Sequence, residues 1–372
     1  MDDPKMEDEA ELYLEAGMRL LDVVESKDIL AVKRLVEEQE PPMFFQDEES
    51  GWSVLHLAAA AESPELLEYL LERGAVWNLV DALGNTAGDV ALSFNNEKCY
   101  NIIRDAGLRQ EFILRALGVS KDPPSTIRTD DETAAASLDT FLASRLTFTS
   151  DAKGQDLCMV QAGDGTNVGV MMGWEKPIMA ETVQKICNPA SGPQGLHILN
   201  VGFGLGIIDS LFQAQSVPPA LHVIIEAHPD VLTHMRKTGW YGKENVMILE
   251  GKWQDHIPSD QLLSLGGFDV VYTDTFSEEY ADLYAFFEHV PELLRGPSAR
   301  FSWFNGLGAT NALFYDIYSR LAELHLSDMG LSVTWTEVDV SEVNDDDTWS
   351  DSRKYFSLPF YRLPICAIAP LA

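Results

Sequence analysis

The sequence contains no run of about 18 apolar residues, which a membrane-spanning helix needs. Its first residues, MDDPKMEDEAELY, lack the basic and apolar regions of a secretory signal peptide. The four cysteines form neither a C-x-x-C pair nor the Cys/His spacing of a zinc site. These absences predict a protein that does not span a membrane, keeps its thiols reduced in a reducing compartment and holds no metal.

Basic residues are also scarce, with 26 Lys and Arg against 59 Asp and Glu and a formal net charge of −33. Such a charge repels nucleic acids and anionic lipids and attracts cations, so we expect a basic protein partner and neither nucleic acid nor membrane. The alternative, that the acidity only maintains solubility, stays open. A length of 372 residues, 46% of them hydrophobic, predicts two domains with sizeable cores.

Apolar residues at helical spacing fill most of residues 1–117. The segment 51–93 resembles an ankyrin repeat, with Gly51 and Gly84 separated by the 33-residue period of that family. In this resemblance His56 is a structural residue of the repeat. We therefore predict an all-α ankyrin-like domain at 1–117, which serves either as a binding scaffold or as a structural cap on the rest of the chain.

Strands and helices alternate after a linker that we place at 118–144, on the basis of its Pro-, Ser- and Asp-rich composition. This alternation predicts an α/β domain at 145–372, with a mostly parallel sheet that ends in an antiparallel hairpin around the polar loop 344–354. Such a seven-stranded, Rossmann-like sheet is the class I fold of nucleoside-dependent methyltransferases. The predicted strands are 196–202, 221–228, 245–250, 268–274, 299–305, 332–340 and 360–369, and the predicted helices are 174–187, 206–215, 229–238, 279–294 and 311–328.

A glycine-rich turn, LNVGFGLGIIDS at 199–210, follows the first predicted strand, and Glu226 ends the next one. Gly202, Gly204 and Gly206 allow a sharp turn and a close approach to a ligand, and an acid 24 residues after Gly202 can bind ribose hydroxyls. The G-x-G-x-G spacing departs from the dinucleotide pattern G-x-G-x-x-G and suits a nucleoside without a pyrophosphate, of which S-adenosylmethionine is common. An ordinary strand–turn–helix connection remains the alternative.

Two further acids occupy positions that point to the same crevice. Asp274 ends the strand FDVVYTDTF, and ligands of open α/β sheets bind beyond such strand ends. Glu175 follows Trp174 at the start of the helix that precedes the sheet. The alternatives are a helix-capping role for Asp274 and a surface role for Glu175, favoured by the helix dipole.

Five ordered blocks resemble guanidinoacetate methyltransferase: V-M-x-x-W-E-x-P-x-M at 170–179, V-G-F-G at 201–204, I-I-E at 224–226, L-x-G-x-W-x-D at 249–255 and Y-x-D-T at 272–275. Together with the ankyrin-like region, the whole chain resembles the fungal protein arginine N5-methyltransferases, also called type IV. This resemblance implies that Glu175 and Asp274 bind a guanidinium, that Glu226 holds the ribose of S-adenosylmethionine and that Trp253 lies beside its adenine. The implied cofactor contacts are Phe148, Met171, Met179, Phe203, Gly204, Leu205, Gly206, Ile207, Ile208, Glu226, Ala227, His228, Trp253, Gln254 and Asp274.

The chain departs from the guanidinoacetate enzyme at WFNGLGAT (303–310), which replaces its small-substrate segment, and at Gln254, which replaces an acid. The resemblance implies methylation of the arginine δ nitrogen, the counterpart of the internal nitrogen of guanidinoacetate, in a ribosomal protein of the cytoplasm and nucleus. It leaves the oligomeric state open. The alternatives are a small-molecule guanidino methyltransferase and a non-catalytic ankyrin-type adaptor.

Overall fold

The computed structural model describes residues 4–116, 137–151, 154–161, 163, 165–187, 195–276, 279–344, 349 and 352–370. The described residues up to 116, together with 311–317, form one compact unit, and the remaining described residues form a second. Most of the predicted linker, at 118–136, lies outside the described residues, and its last part contains a short helix, Leu138–Ala143.

The first unit is built from six helices, in agreement with the predicted all-α domain. Successive helices pack in pairs, and their buried faces form one apolar core to which Leu313, Phe314 and Ile317 also contribute. The six helices are α1 (Pro4–Glu25), α2 (Ile29–Gln39), α3 (Val54–Ala60), α4 (Pro64–Glu72), α5 (Ala87–Ser93) and α6 (Glu97–Ala116).

His56 of α3 is a structural residue, as predicted. It is fully buried, and its Nδ1 atom accepts the backbone N–H of Ser53 at 3.1 Å. Its Nε2 atom lies 3.0 Å from the carbonyl oxygen of Asn85, which belongs to the next turn of the stack. Burial lowers the pKa of His56, so the neutral ring is favoured.

A mixed sheet of seven strands forms the centre of the second unit and confirms the predicted architecture. The first five strands in chain order run parallel to one another. The last strand in chain order lies between two others and runs antiparallel to both. In spatial order the strands are β6 (Val246–Glu250), β5 (Leu221–Glu226), β4 (His197–Val201), β7 (Val270–Thr273), β8 (Arg300–Trp303), β11 (Phe360–Ile368) and β9 (Leu331–Asp339).

All five helices that the sequence predicts for this part of the chain are present, together with several shorter ones, and the last of the five begins within residues 311–317 of the first unit. None of the described helices is both long and apolar enough to cross a membrane. The α-helices are α7 (Leu138–Ala143), α8 (Lys176–Cys187), α9 (Ile207–Gln213), α10 (Pro229–Lys237), α11 (Trp253–His256), α12 (Asp260–Leu263), α13 (Tyr280–Leu293) and α14 (Ala312–Asp328), and short 3-10 helices occur at Gly173–Glu175, Trp240–Gly242 and Ser341–Asn344.

The second unit also contains a four-stranded sheet that the sequence did not predict. The sequence analysis assigned no strand before residue 196 and only a loop to 344–354. The expectation failed because the pairing of two of these strands is shifted by an irregularity between Cys158 and Met159, which disturbs the alternation of apolar and polar residues. The strands, in spatial order, are β1 (Leu146–Ser150), β2 (Asp156–Gln161), β3 (Asn167–Met172) and the two-residue β10 (Ser352–Arg353).

Candidate active site

Three parallel strands, β5, β4 and β7, end side by side at the candidate site. Val201 of β4 pairs with Ile225 on one side and with Thr273 on the other, so Gly202, Glu226 and Asp274 emerge at one edge of the sheet. The carboxyl ends of strands at a change of strand order are where open α/β sheets bind their ligands.

Gly202 is required by the close approach of two strand ends. Its φ is +90°, and a Cβ atom there would lie 1.9 Å from the carbonyl oxygen of Asp274. Only glycine therefore permits the glycine turn and Asp274 to lie next to each other. Gly204 is similarly confined, because its Cβ would lie 2.8 Å from Sδ of Met171, which also accepts the N–H of Leu205 at 3.2 Å.

A buried amide supports the glycine turn from below. Nδ2 of Asn200 donates to the carbonyl oxygen of Gly202 at 2.9 Å and to the carboxylate of Asp209 in α9, also at 2.9 Å. Asn200 and Asp209 are both fully buried, so this network fixes the turn between β4 and the helix that follows it.

Glu226 is held by backbone donors. Its Oε2 atom accepts the N–H of Phe203 at 2.8 Å and its Oε1 atom accepts the N–H of His228 at 2.6 Å. Burial raises the pKa of Glu226, while hydrogen bonds from the backbone N–H groups of His228, Phe203, Gly204 and Ala227 act in the opposite direction. The carboxylate is thus fixed in one orientation at the cavity wall, with acceptor capacity left for a ligand.

Glu175 and Asp274 form an acidic pair on the same cavity. Glu175 is buried, and its Oε1 atom accepts the N–H of Met172 at 2.9 Å and the hydroxyl of Tyr355. Part of Asp274 remains accessible, but its Oδ2 atom is buried and accepts no hydrogen bond from the described residues.

Burial controls the ionisation of this pair. It raises the pKa of Glu175 to about 8, with a further contribution from the charge of Asp274, and it raises the pKa of Asp274 to about 7. Two neighbouring carboxylates in a site of low polarity disfavour each other's charge. A cation between them would remove this penalty, so the pair is suited to bind a positively charged group.

A cavity of about 310 Å³ joins the three acids. Among the predicted site residues, nine line it: Met171, Glu175, Gly204, Glu226, Ala227, His228, Trp253, Gln254 and Asp274. The structure thus brings together residues that are separated by up to about a hundred positions in the chain.

Seven other predicted contacts lie behind this wall, and their contact with a cofactor stays a prediction. Phe148 of β1 stacks on the ring of His234, with 4.4 Å between the ring centroids. Phe203 packs against Trp240 at 5.1 Å, and Gly206, with φ +70°, leaves room for the Phe203 ring. The remaining four, of which Met179 and Ile208 are buried, are Met179, Leu205, Ile207 and Ile208 of the adjoining core.

Several lining residues were missed by sequence analysis. Phe141 of α7 packs against His228 and Phe276, with 4.8 Å between centroids in both cases, and its carbonyl oxygen lies 3.1 Å from Nε2 of His228. Contacts between distant parts of the chain leave no local signal in the sequence. The segment 303–310, which differs from the guanidinoacetate enzyme, does contribute to the cavity wall. The missed lining residues include Leu138, Phe141, Leu142, Lys252, Phe276, Trp303, Phe304, Leu307 and Tyr355. No group of three or more His, Cys, Asp or Glu side chains suited to a metal ion occurs in the described parts of the chain.

Two families match parts of the chain. The guanidinoacetate N-methyltransferase family matches residues 165–309, which include Glu175, Glu226 and Asp274. The ankyrin repeat family, in three copies, matches residues 20–111. This match extends on both sides of the segment 51–93 that resembles a repeat in the sequence.

Curated relatives extend this likeness over most of the chain. Protein arginine N-methyltransferase 2 of Cryptococcus neoformans var. neoformans serotype D is 43% identical over 345 residues, which cover 88% of this chain and 89% of that protein. Protein arginine N-methyltransferase 2 of Saccharomyces cerevisiae is 35% identical over 330 residues, covering 81% and 76%. Among solved structures, an O-methyltransferase from Bacillus cereus in complex with SAH aligns with 52% of this chain and 80% of its own, at 17% identity and a TM-score of 0.35. From its relatives and its two matched regions, the chain belongs to the family of fungal protein arginine N-methyltransferases 2.

Proposed function

We propose that this protein transfers a methyl group from S-adenosylmethionine to the δ (N5) nitrogen of an arginine in a basic protein, with a ribosomal protein as the expected substrate. The observation that carries the proposal is the pair Glu175 and Asp274, which faces one cavity together with the glycine turn and Glu226. The likeness of residues 165–309 to guanidinoacetate N-methyltransferase supports the internal nitrogen as the methyl acceptor.

The cavity fits an S-adenosyl nucleoside. Its volume of about 310 Å³ lies in the range of small-molecule sites, and apolar side chains of Ile225, Val231 and Trp253 line the end that contains Glu226. The fixed carboxylate of Glu226 would accept hydrogen bonds from the two ribose hydroxyls, and Trp253 would pack against the adenine. When bound, S-adenosylmethionine supplies an electrophilic methyl group on its sulfonium.

The acidic pair fits a guanidinium. A guanidinium presents several N–H donors in one plane, and Oδ2 of Asp274 is a buried acceptor to which no described residue donates. Binding the cation lowers the pKa of both carboxyls and favours their ionised forms. Glu175 then holds one edge of the guanidinium while Asp274 orients the nitrogen to be methylated, which satisfies the in-line geometry of the displacement.

Asp274 would also accept the proton that the guanidinium must release. Methylation of a cationic guanidinium leaves the product with one proton too many unless a base removes it. Burial raises the pKa of the Asp274 carboxyl to about 7 in the absence of the cation, and the bound guanidinium lowers it again, so Asp274 is ionised and able to take this proton at neutral pH. Phe141, Phe276 and Phe304 line the cavity near these groups and would limit the access of water.

The charge of the cavity supports a protein substrate over a small guanidino acid. Four acids, Glu175, Glu226, Asp274 and Glu279, line it, whereas Lys252 is the one Lys or Arg among the described lining residues. Nζ of Lys252 is already paired with Asp139 of α7 at 2.6 Å. The free carboxylate of a small guanidino acid would be repelled here, whereas an arginine within a polypeptide carries no such charge.

The remaining features support docking of a basic polypeptide. The net charge of −33 favours encounter with a cationic protein, and the ankyrin repeats would supply a binding surface for it. We also propose, from the family resemblance, that the protein acts in the cytoplasm and nucleus. Microscopy of the tagged chain would test that location.

The product of the reaction tests the proposal directly. The full chain is incubated with S-adenosylmethionine that carries a labelled methyl group. One reaction contains a basic ribosomal protein fraction as the acceptor, and a parallel reaction contains guanidinoacetate. We expect label in protein, and fragmentation mass spectrometry should place the methyl on the δ nitrogen of arginine. A methyl on a terminal nitrogen would refute the N5 assignment. Label in guanidinoacetate alone would favour the small-molecule enzyme, and failure to bind S-adenosylmethionine in calorimetry would favour a non-catalytic adaptor.

A further inference from the structure

The connection between β9 and β11 does more than close a hairpin. Its short strand β10 pairs in parallel with β3, with Ser352 opposite Asn167 and Arg353 opposite Val168. Because β3 leads directly into the turn that contains Glu175, this pairing brings Tyr355 beside Glu175, although the two residues are 180 positions apart in the chain.

Tyr355 is held in place by its ring and bonded through its hydroxyl. Its ring packs against Trp174 at 5.7 Å and against Trp349 at 4.9 Å, the latter edge-on. At Gly169 of β3 a Cβ atom would lie 2.9 Å from Sδ of Met172 and 3.1 Å from the Tyr355 ring, so the glycine leaves space for both side chains. The hydroxyl donates to Oε1 of Glu175, and Tyr355 also lines the cavity.

Both described donors to Glu175 act on the same oxygen. Oε1 accepts the hydroxyl of Tyr355 and the N–H of Met172, the latter at 2.9 Å, which leaves Oε2 to bind a substrate. With one donor from β3 and one from the connection between β9 and β11, the carboxylate has one orientation rather than several. An oriented carboxylate binds a planar, forked cation better than a mobile one, because less conformational freedom is lost.

We propose that Tyr355 is a positioning residue for methyl transfer, which fixes Glu175 so that its second oxygen receives the guanidinium. This inference rests on the proposed function and adds a residue from outside the region 165–309 that matches the guanidinoacetate N-methyltransferase family. Tyr355 acts through Glu175, so its loss should weaken the binding of arginine while the binding of the cofactor is preserved.

The charged and polar groups around Glu175 also determine how the loss of the Tyr355 hydroxyl changes the pKa of Glu175. Asp274 and the buried hydroxyl of Tyr272 face it from β7, and Tyr355 faces it from the β9–β11 connection. Burial and the charge of Asp274 raise the pKa of Glu175, whereas the hydrogen bonds from Tyr355 and Met172 lower it. Removal of the Tyr355 hydroxyl therefore raises the pKa of Glu175 further and leaves less of the ionised form at neutral pH.

The substitution Tyr355→Phe keeps the ring and removes only the hydroxyl. A matched control is Tyr241→Phe, since the Tyr241 hydroxyl also donates to a glutamate, Glu250, at 2.7 Å, but at an exposed position that does not line the cavity. For each full-length variant, KM, kcat and their pH dependence are measured with the substrate protein that the labelling experiment identifies as the methyl acceptor. The dissociation constant of S-adenosylmethionine and that of the blocked arginine N-acetylarginine methylamide are measured by calorimetry.

For Tyr355→Phe we expect the dissociation constant of the arginine ligand and the KM of the protein substrate to rise by about tenfold or more. This factor corresponds to the free energy of one hydrogen bond to a charged group. The rising limb of kcat/KM against pH should move to higher pH, and cofactor affinity should stay within about twofold of the unsubstituted enzyme. Tyr241→Phe should change none of these quantities.

The failures are distinguishable. If the unsubstituted chain transfers no methyl group to arginine, the proposed function fails before the tyrosine is tested. If that chain is active and Tyr355→Phe matches it in KM and pH profile, the positioning role is refuted. It is equally refuted if Tyr355→Phe loses cofactor binding and arginine binding together, since that result indicates a merely structural contribution.

Discussion

The two ends of the cavity treat their carboxylates in opposite ways. Glu226 receives hydrogen bonds from the backbone of the glycine turn and of the residues after β5, so each of its oxygens already has one donor from the folded chain. Asp274, at the end of β7, has a buried Oδ2 atom to which no described residue donates, and burial raises its pKa to about 7. At the Glu226 end the protein supplies a donor to each carboxylate oxygen, whereas at the Asp274 end one buried oxygen has no donor from the described residues.

This difference separates binding from chemistry. A buried acceptor without a donor costs about 1–3 kcal/mol, so the fold is less stable with Asp274 than it would be with an apolar residue of similar size. Sites that are poised for a substrate often carry such a cost. The satisfied carboxylate is therefore expected to affect mainly cofactor affinity, and the unsatisfied one mainly turnover.

The largest effect is expected for Asp274→Asn. An amide keeps the shape of the side chain but cannot accept the proton released by the guanidinium, so kcat should fall by about a thousandfold, within the range for loss of a general base. Rapid-quench measurement of a single turnover would isolate the chemical step. Calorimetry should show the affinity for S-adenosylmethionine unchanged within about threefold.

Near-normal turnover of Asp274→Asn with intact cofactor binding would disprove the role of Asp274 as base. A useful comparison is Asp269→Asn, since Asp269 lies at the opposite end of β7, where it accepts the N–H of His197 at 2.8 Å and pairs with Arg295. That substitution removes a carboxylate beside the same strand but at its other end, away from the cavity, so it should leave turnover unaltered.

A smaller effect, on cofactor affinity and not on turnover, is expected for Glu226→Gln. The amide nitrogen would face a backbone N–H, of Phe203 or of His228, and leave a buried donor without an acceptor. Affinity for S-adenosylmethionine should fall by about tenfold to a hundredfold, while kcat at saturating cofactor should change much less. An unchanged dissociation constant together with a reduced kcat would show that the two ends do not divide the work in this way.

The satisfied end of the cavity was also the more predictable from sequence. Gly202 follows β4 and Glu226 ends β5, two strands whose apolar runs are visible in the sequence, and parallel strands in register deliver their ends to one edge. The seven-stranded sheet and its antiparallel last pair were predictable for the same reason, because strand periodicity and the alternation with helices are local signals.

The unsatisfied end depends on contacts that no local pattern reports. Tyr355 reaches Glu175 through a two-residue strand, and such a short pairing has no periodicity to read. The sheet that contains it went unpredicted because its strands are short and one pairing is irregular between Cys158 and Met159. Lining by α7 likewise depends on the packing of Phe141 against His228.

The smallest effect concerns stability as a function of pH in the absence of ligands. The ordinary pKa values of 4.5 for Glu175 and 3.8 for Asp274 apply to the unfolded chain, whereas in the fold these values rise to about 8 and about 7. Between these limits the folded state binds more protons than the unfolded state. The free energy of unfolding contributed by this pair must therefore decrease as the pH rises from about 5 to about 8.

Glu175→Gln should remove part of this decrease, because an amide has no charge to bury. Relative to the unsubstituted enzyme, the variant should gain on the order of 1–2 kcal/mol at about pH 8 and little at about pH 5, as measured by urea denaturation at each pH. Glu250→Gln is the control for the sign: hydrogen bonds from Tyr241 and Arg236 lower the pKa of Glu250, so this variant should be less stable than the unsubstituted enzyme at both about pH 5 and about pH 8, with no gain at the higher pH. If Glu175→Gln shows no gain at high pH, the carboxylate pair is already neutralised within the fold, and the substrate cation cannot be what completes the Asp274 end of the cavity.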